Sequence, residues 1–174
     1  MKSIKNVALS ACSDSRGTLT EIFRHDWVDM PLPVQWNLVQ SEAHVLRGVH
    51  VHVKHVDYLV VIKGRMQVGL TDLRGKAKRV GSLIELSEGH RSMLMIPQGI
   101  AHGFYFPEPT TFVYGVSEYW DPVHDELGCR WDDPALGIPW PEEAVAPLLS
   151  ERDDAACSLE ELLLKLHSER NKPW

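Results

Sequence analysis

Hydrophobic and polar side chains alternate along much of the chain between residues 34 and 120, with the period of two that is typical of β-strands. Met66, Val68 and Leu70 alternate with polar or small residues, which predicts a strand with one buried face. Residues 57–62 are almost continuously apolar, as in a strand that is covered on both sides. The Lys63-Gly64-Arg65 turn between these two segments predicts a hairpin. The same criteria predict further strands at residues 34–40, 44–53, 81–86, 92–97, 102–106 and 111–119.

Many short strands separated by turns favour a sandwich or a barrel, so the sequence predicts an all-β domain. The pattern changes at about residue 121, where prolines become frequent and no regular period persists. We expect an irregular segment there that wraps across the barrel. Ser158 to Glu161 has the pattern of a helix capping box and precedes a leucine-rich stretch, which predicts a short C-terminal helix. Residues 1–174 are expected to form one domain, with the wrap and the helix from about 121 to 174.

The composition limits the partners of the chain. It carries 18 Lys and Arg against 24 Asp and Glu, a net charge of -6, which argues against binding nucleic acid or anionic lipid. Cys12, Cys129 and Cys157 are odd in number and far apart, which disfavours a disulfide framework and a cysteine zinc site. The sequence shows no signal-peptide pattern and no apolar run that approaches the roughly 20 residues of a membrane helix. We expect a cytoplasmic protein without a membrane or nucleic-acid partner.

A group of histidines gives the first indication of chemistry. His50 and His52 are two residues apart in a predicted strand, so both side chains point to one face, and His102 follows a Pro-x-Gly turn. Together with Asp57, these histidines match the two cupin motifs, with Asp in place of the usual Glu, and would suit iron, manganese or zinc. Histidine also serves metal-free acid and base chemistry, because its ordinary pKa of about 6.5 lies near the working pH. The spacing leaves both interpretations open.

Several segments resemble the dTDP-4-dehydrorhamnose 3,5-epimerases of deoxysugar pathways and run in the order found in that family. The most specific are Leu46-Arg-Gly-Val-His50, Ile96-Pro-Gln-Gly-Ile-Ala-His-Gly-Phe104 and Trp131-Asp-Asp-Pro-Ala-Leu-Gly-Ile-Pro-Trp-Pro141. The resemblance implies a cupin-type double-stranded β-helix, or jelly-roll barrel, that forms a homodimer and binds a nucleotide-diphosphate sugar in its mouth. It also implies an isomerase that epimerises a 4-keto-6-deoxy nucleotide sugar at C3, at C5 or at both, with no metal or other cofactor.

The same resemblance implies roles for individual residues. His50 resembles the base that removes the carbon-bound proton, Asp153 the carboxylate that orients this histidine, and Tyr114 the acid that returns a proton to the opposite face of the sugar. Arg47 resembles a ligand of the diphosphate, and Gly48 predicts a strand bulge that brings Arg47 to the side of His50. The other residues that match the sugar and nucleotide pocket of the family are Arg16, Glu21, Gln35, Asn37, His52, His102, Trp120, Glu126 and Arg152.

The chain departs from the family pattern at two places. One shortened stretch lacks the lysine that the family uses to stabilise the enolate oxygen, and Asp57 or Tyr58 occupies its place. His52 stands where the family usually has glutamine. Lys54, Tyr58 and His55 are candidates to replace the lysine. Three alternatives therefore stay open beside the epimerase: a 3,4-ketoisomerase, a metal-dependent cupin enzyme that uses the four residues of the cupin motifs, and a sugar-binding module without activity.

Overall fold

The computed structural model describes residues 2–75, 79–121, 125 and 127–170 of the chain. The described residues form twelve strands and two α-helices. The strands are β1 (Lys5–Ala8), β2 (Ala11–Asp14), β3 (Gly17–Thr20), β4 (Gln35–Ser41), β5 (Val45–Val51), β6 (Asp57–Lys63), β7 (Arg65–Asp72), β8 (Ser82–Ser87), β9 (Ser92–Ile96), β10 (Ile100–Phe106), β11 (Thr110–Val116) and β12 (Leu127–Gly128). The helices are α1 (Glu151–Asp154) and α2 (Leu159–Arg170).

Ten of these strands form two five-stranded antiparallel sheets. The first sheet has the order β1-β9-β6-β11-β4, and the second has the order β12-β5-β10-β7-β8. Strands β2 and β3 pair with each other in a separate two-stranded sheet. The two large sheets enclose a hydrophobic core, which makes a jelly-roll barrel. The predicted cupin-type fold and its short C-terminal helix are confirmed.

The core between the sheets is built from the inward-facing residues of their central strands. Leu59 and Val61 of β6 and Phe112 of β11 come from the first sheet, and Met66 and Val68 of β7 come from the second. All five side chains are buried. Full burial of an apolar side chain of this size stabilises a fold by roughly 1.5–3 kcal/mol. These residues therefore hold the two sheets face to face.

The predicted hairpin between residues 57–62 and 66–71 is wrong. β6 lies in the first sheet and pairs with β9 and β11, whereas β7 lies in the second sheet and pairs with β8 and β10. Gly64, with a φ of +80°, turns the chain from one sheet to the other. The turn residues mark a change of direction, but the long-range packing of the sheets decides which strands pair.

β7 is covered on both faces, not on one face as the alternation predicts. The irregular C-terminal segment packs over Gly69, where an added Cβ would lie 2.6 Å from the ring of Trp140. Thr71 is also buried, and its hydroxyl donates to the Leu136 carbonyl at 2.8 Å. The predicted wrap across the barrel is therefore present, and it acts as a second layer over the second sheet.

Helix α2 begins at the predicted capping box. The Ser158 N–H donates to Glu161 Oε2 at 3.0 Å, and the Glu161 N–H donates to Ser158 Oγ at 3.3 Å. The apolar face of the helix packs in one cluster with β5 residues such as Val49 and Val51. The helix thus closes the outer side of the strand that carries His50.

The three cysteines are free: Cys12 is exposed, Cys129 is buried and Cys157 is partly buried. Burial raises the pKa of the Cys129 thiol to about 12, so this group stays protonated and unreactive near neutral pH. Among the helices of the described residues, none has the length and apolar composition needed to span a membrane.

Candidate active site

A cavity of about 590 Å³ lies between the two sheets. Its walls come from β4, β5, β6, β10 and β11, together with the segment that leads into α1. The predicted site residues that line it are Arg47, His50, His52, His102, Tyr114, Trp120, Arg152 and Asp153. The structure thus brings residues from distant parts of the chain into one site.

A bulge in β5 places Arg47 and His50 on the wall of the same cavity. His102 of β10 pairs with His50, but the next β10 residue, Gly103, pairs with Gly48, so β5 has one extra residue between them. Gly48 has a φ of +110°, a conformation that favours glycine. A Cβ at this position would lie 2.8 Å from the His102 carbonyl oxygen. The predicted bulge is confirmed.

His50 and Asp153 form a close pair. His50 Nε2 lies 2.7 Å from Asp153 Oδ1, and the Gly48 N–H donates to Asp153 Oδ2 at 3.2 Å. Burial raises the pKa of Asp153, but the hydrogen bonds from His50 and Gly48 outweigh it and hold this pKa below its ordinary value. An ionised carboxylate accepts and does not donate, so His50 donates its Nε2 hydrogen and keeps the lone pair on Nδ1.

Helix α1 directs Asp153, and not its neighbour Asp154, towards His50. Ser150 caps the helix, and its hydroxyl oxygen accepts the Asp153 N–H at 3.1 Å. In this turn Asp153 is buried and Asp154 is exposed. The Ser150 cap therefore determines that Asp153, and not Asp154, contacts the His50 imidazole.

Tyr114 faces the cavity from the opposite sheet. It lies on β11 of the first sheet, whereas His50 lies on β5 of the second. Tyr114 is in register with Asn37 on one side and with Leu59 on the other, so its backbone is held by two neighbouring strands. A phenol and an imidazole on opposite walls can address the two faces of a flat ligand.

Arg152 places a positive charge beside the His50–Asp153 pair. Its Nη2 lies 2.9 Å from His50 Nε2, and its Nε lies 3.7 Å from Asp153 Oδ1. Because His50 Nε2 gives its hydrogen to Asp153, Arg152 acts on the pair through charge and not through a hydrogen bond to the ring. Arg47 is exposed and adds a second cation to the cavity wall.

Gln35 and Asn37 lie on β4 next to this cavity. They share a strand face with Val39, which lines it. Gln35 Nε2 donates to Asn37 Oδ1 at 2.9 Å, and the Trp120 N–H donates to Gln35 Oε1 at 3.2 Å. Within the described part of the chain, the buried Asn37 Nδ2 has no hydrogen-bond acceptor. Asn37 does not line the cavity, and its amide nitrogen is an unsatisfied donor in the strand beside it.

Arg16 and Glu21 do not line the cavity. Arg16 lies at the turn between β2 and β3 and pairs with Asp14 at 2.6 Å, whereas Glu21 lies 3.7 Å from Arg24. Both predicted residues are exposed, because the β2–β3 sheet is separate from the two sheets that enclose the cavity. A single chain therefore does not bring them to the site. Glu126 lies outside the described residues.

A second group of ionisable side chains forms part of the same wall. We call His52, His55, Asp57 and His102 the buried histidine cluster, since all four are buried and line the cavity. Asp57 Oδ2 lies 3.8 Å from His102 Nε2 and 4.0 Å from His52 Nε2. Asp57 Oδ1 lies 3.5 Å from His55 Nε2. Three imidazole edges thus converge on one carboxylate.

Asp125 supports this cluster from outside, and no sequence pattern identifies it. Its carbonyl accepts from His52 Nδ1 at 2.6 Å, and its Oδ2 accepts from His55 Nδ1 at 2.7 Å. Its Oδ1 accepts the backbone N–H groups of Val53 and Lys54. Asp125 lies in the irregular segment after β11, where neither a period nor a motif relates it to the histidines.

Burial and charge set the protonation of the cluster. Burial lowers the pKa of His102 to about 4, so this ring is neutral at pH 7. Burial also opposes the protonation of His55, but the hydrogen bond to Asp125 and the negative charge of Asp57 outweigh it and raise the pKa of His55 to about 9. Burial raises the pKa of Asp57, whereas the surrounding histidines lower it to about 2 overall. Asp57 is therefore a buried carboxylate, and the protonated His55 beside it provides a positive charge.

Of the three candidates to replace the family's lysine, only His55 lines the cavity. Lys54 is exposed and lies 3.8 Å from an aspartate on the surface. Tyr58 points to the other face of β6, where its hydroxyl donates to the Pro31 carbonyl at 2.6 Å. Asp57 faces the cavity, so a carboxylate stands where a cation was expected.

Comparison with known proteins decides the family. A family model described as dTDP-4-dehydrorhamnose 3,5-epimerase matches residues 1–161. The chain belongs to this epimerase family. The resemblance drawn from the sequence motifs is confirmed.

Two members of the epimerase family illustrate the match. The chain is 33% identical over 150 residues to a dTDP-4-dehydrorhamnose 3,5-epimerase of Neisseria gonorrhoeae. The aligned region covers 81% of this chain and 45% of that relative. The chain therefore spans less than half the length of that protein. It is 36% identical over 152 residues to a dTDP-4-dehydrorhamnose 3,5-epimerase of Methanothermobacter thermautotrophicus, which covers 81% of each chain.

Solved epimerase structures share the fold. The rmlC epimerase of Mycobacterium tuberculosis superposes with a TM-score of 0.84 and 25% identity, over 96% of this chain and 92% of that one. ChmJ, a 3'-monoepimerase from Streptomyces bikiniensis in complex with dTDP-quinovose, gives a TM-score of 0.82 and 26% identity, over 94% and 87% of the chains. The barrel is thus common to epimerases whose names indicate different numbers of inverted carbons.

Proposed function

We propose that the chain epimerises a 4-keto-6-deoxy sugar carried on dTDP, at C3, at C5 or at both. Membership of the epimerase family supports the class of reaction, and the names of the matched proteins support dTDP as the carrier. The observation that carries the proposal is the His50–Asp153 pair, 2.7 Å apart, opposite Tyr114 on the other sheet.

His50 suits the role of the base. A C–H bond beside a ketone is weakly acidic, so its removal needs a positioned base and stabilisation of the enolate that forms. His50 donates through Nε2 to Asp153, which leaves the Nδ1 lone pair to accept the proton from carbon. Asp153 then stabilises the imidazolium. A positioned base of this kind accelerates a reaction by roughly 10²- to 10⁴-fold.

Tyr114 suits the role of the acid. The enolate carbon is planar, and a proton delivered to the face opposite His50 inverts the configuration. Tyr114 lies on the sheet that faces His50, so its hydroxyl donates from that side. The phenolate that results regains a proton from solvent and the His50 imidazolium releases one to solvent, which restores both groups and balances the reaction.

The polar groups of the cavity suit a nucleotide sugar. Arg47 and Arg152 provide two cations for the diphosphate, a ligand for which arginine is well suited. Asn37 Nδ2 beside the cavity is a donor for a sugar or base oxygen, and Trp120 offers an aromatic surface. The remaining binding residues that we propose on the family resemblance are Arg16, Glu21, Gln35, His52, His102 and Glu126.

We also propose that the protein is a cytoplasmic homodimer. Trp36 and Leu38 of β4, an edge strand of the first sheet, form an exposed apolar row with Val34, which directly precedes the strand, and Leu19 is exposed on β3. A large apolar row at a sheet edge favours association, and a second copy is the partner that the family resemblance implies. The free cysteines fit the reducing conditions of the cytoplasm.

The test is incubation of the protein with dTDP-4-keto-6-deoxyglucose in deuterated water, followed by mass spectrometry of the sugar. We expect one deuteron in the product for each epimerised carbon, so one deuteron indicates one centre and two indicate both. A parallel incubation without protein corrects for spontaneous exchange. A product with no deuterium above that background would refute the proposal.

A further inference from the structure

The geometry of the buried histidine cluster is not that of a hydrogen-bonded network. The three Nε2 atoms lie 3.5, 3.8 and 4.0 Å from the Asp57 oxygens. Direct N–H···O bonds in proteins measure about 2.7–3.2 Å, so these contacts are too long. The spacing leaves room for a small ion between the rings and the carboxylate.

Hydrogen bonds on the far side of each ring fix the nitrogen that faces Asp57. His52 Nδ1 lies 2.6 Å from the Asp125 carbonyl, and His102 Nδ1 lies 3.0 Å from the Ile100 carbonyl. A carbonyl oxygen accepts and does not donate, so both Nδ1 atoms carry a hydrogen. In the neutral rings the lone pair is then on Nε2, the atom nearer Asp57. Metal-binding histidines in proteins are oriented in this way.

We propose that His52, Asp57 and His102 bind one divalent transition-metal ion through two Nε2 atoms and one carboxylate oxygen. The three ligand atoms lie within 4.8 Å of one another. Ligands about 2.1 Å from a tetrahedral ion are about 3.4 Å apart, so the two His–Asp57 distances of 4.0 and 3.8 Å need to shorten by about 0.4–0.6 Å, and no ligand distance by more than about 1.4 Å. Two histidines and one carboxylate suit zinc or iron.

This set differs from the four residues of the cupin motifs, because His50 is not part of it. The hydrogen bond to Asp153 engages His50, and the acid–base chemistry and the ion therefore use different histidines. His55 stands next to the set, with its ring stacked on that of His52 at 3.9 Å between centroids. Asp125 orients both His52 and His55 through their Nδ1 atoms.

An ion in this position would change the charge of the cavity wall. The wall now presents the carboxylate of Asp57 beside His55, and a divalent ion would add positive charge to it. Positive charge near a ketone oxygen stabilises an enolate, which is the chemistry that such an ion supplies. The proposal goes beyond the epimerase reaction and does not depend on it.

The test is a direct measurement of metal binding by the full chain in the absence of any sugar. The protein is stripped with a chelator and titrated with Zn²⁺ and, separately, with Co²⁺ by calorimetry, and the bound metal is counted by elemental analysis. We expect one ion per chain and visible Co²⁺ absorption bands typical of nitrogen and oxygen ligands. We also expect a higher melting temperature in the presence of Zn²⁺.

Variants assign the ion to the site. Asp125→Asn, which alters the support of the ligands, should weaken Zn²⁺ binding by about 10- to 100-fold, and His102→Gln and Asp57→Asn should weaken it further. The matched control is His90→Ala, since His90 is an exposed histidine in the turn between β8 and β9. The His90→Ala variant should bind Zn²⁺ with the affinity of the wild type.

Two results would overturn the proposal. One is a wild-type chain that binds less than a tenth of an equivalent of either metal. The other is an affinity that falls with His90→Ala but not with a folded His102→Gln. Circular dichroism of the stripped proteins checks that each variant is folded, and the wild-type stoichiometry decides the matter if the variants do not fold. The metal titration contains no sugar, so its result does not affect the deuterium test of the epimerase. Failure of the metal proposal and failure of the proposed function can therefore be told apart.

Discussion

At the scale of single residues, the charge of Asp153 determines what His50 can do. The carboxylate fixes the tautomer of the ring by accepting from Nε2, and in the proposed mechanism it then faces the imidazolium that forms when Nδ1 takes a proton. Because the carboxylate is buried beside the ring, its effect is not screened by solvent. Asp153 is therefore a positioning residue that acts through His50.

The substitution Asp153→Asn tests this role. The amide has the same shape but no charge, so it cannot stabilise the imidazolium. We expect kcat to fall by about 10²- to 10⁴-fold, with a much smaller change in KM. Asp154→Asn is the matched control, since it makes the same change at an exposed neighbour, and it should leave both constants near wild type. The two variants are compared by steady-state kinetics. An equal loss of activity in both would contradict this role of Asp153.

Cys129 and Cys12 should differ sharply in reactivity. Burial raises the pKa of Cys129 to about 12, whereas Cys12 is exposed. The thiolate is the reactive form, so iodoacetamide at pH 9 should modify Cys12 and spare Cys129 until urea unfolds the chain. The unfolded chain loses the Cys129 proton near pH 9 and the folded chain only near pH 12, so the free energy of unfolding should fall as pH rises through this range. Peptide mass spectrometry measures the labelling, and equal labelling of both residues in folded protein would refute this prediction.

Residue patterns identify some of the site and miss other parts for physical reasons. The two-residue spacing of His50 and His52 correctly predicts that both side chains face one cavity. The family motifs point to Asp153, but polarity alone does not separate it from Asp154, because the cap at Ser150 makes the choice. Asp125 has no sequence signal, since its contacts with the histidines depend on the path of the irregular segment.

At the scale of elements, β5 shows how one glycine aligns a site. A regular strand would send Arg47 and His50 to opposite faces. The extra residue in the pairing of β5 with β10, next to Gly48, brings both side chains to the cavity. The Gly48 N–H also donates to Asp153, so the same irregularity helps to hold the carboxylate.

Replacement of Gly48 by alanine should damage both stability and activity. The φ of +110° is unfavourable for alanine, and the new Cβ would lie 2.8 Å from a backbone oxygen. We expect a loss of at least about 2 kcal/mol in the free energy of unfolding, measured in urea. Gly89→Ala is the control, because its Cβ would meet nothing closer than 3.9 Å, and it should change stability by less than about 0.5 kcal/mol. Equal stability of the two variants would show that the bulge is not constrained.

The elements themselves could be predicted in part. Period-two alternation places the eight predicted strands on β4 to β11, with ends that differ by at most three residues. The alternation could not show that β6 and β7 do not pair with each other, because long-range packing places the two strands in different sheets. β1, β2, β3 and β12 are two to four residues long, too short for a period to emerge from the sequence.

At the scale of the whole molecule, the exposed row on β4 tests the proposed homodimer. Leu38 is 68% exposed and is the most exposed residue of this row, and a charge there would be buried between two copies. We expect Leu38→Glu to shift the protein towards the monomer in light scattering coupled to gel filtration. Leu164→Glu is the matched control, since Leu164 is also 68% exposed but lies on α2, and it should remain dimeric. A wild type that is monomeric, or a Leu38→Glu dimer as stable as wild type, would contradict the proposal.

The proposed mechanism needs an imidazole on one sheet opposite a phenol on the other, so its most direct test concerns His50. The measurement is the rate at which the 4-keto sugar gains deuterium from deuterated water with the wild type and with His50→Ala, beside the His90→Ala control. The account predicts that His50→Ala loses exchange by at least about 10²-fold while it still binds dTDP, and that His90→Ala exchanges like the wild type. Wild-type exchange by a folded His50→Ala protein would show that another group removes the proton from carbon.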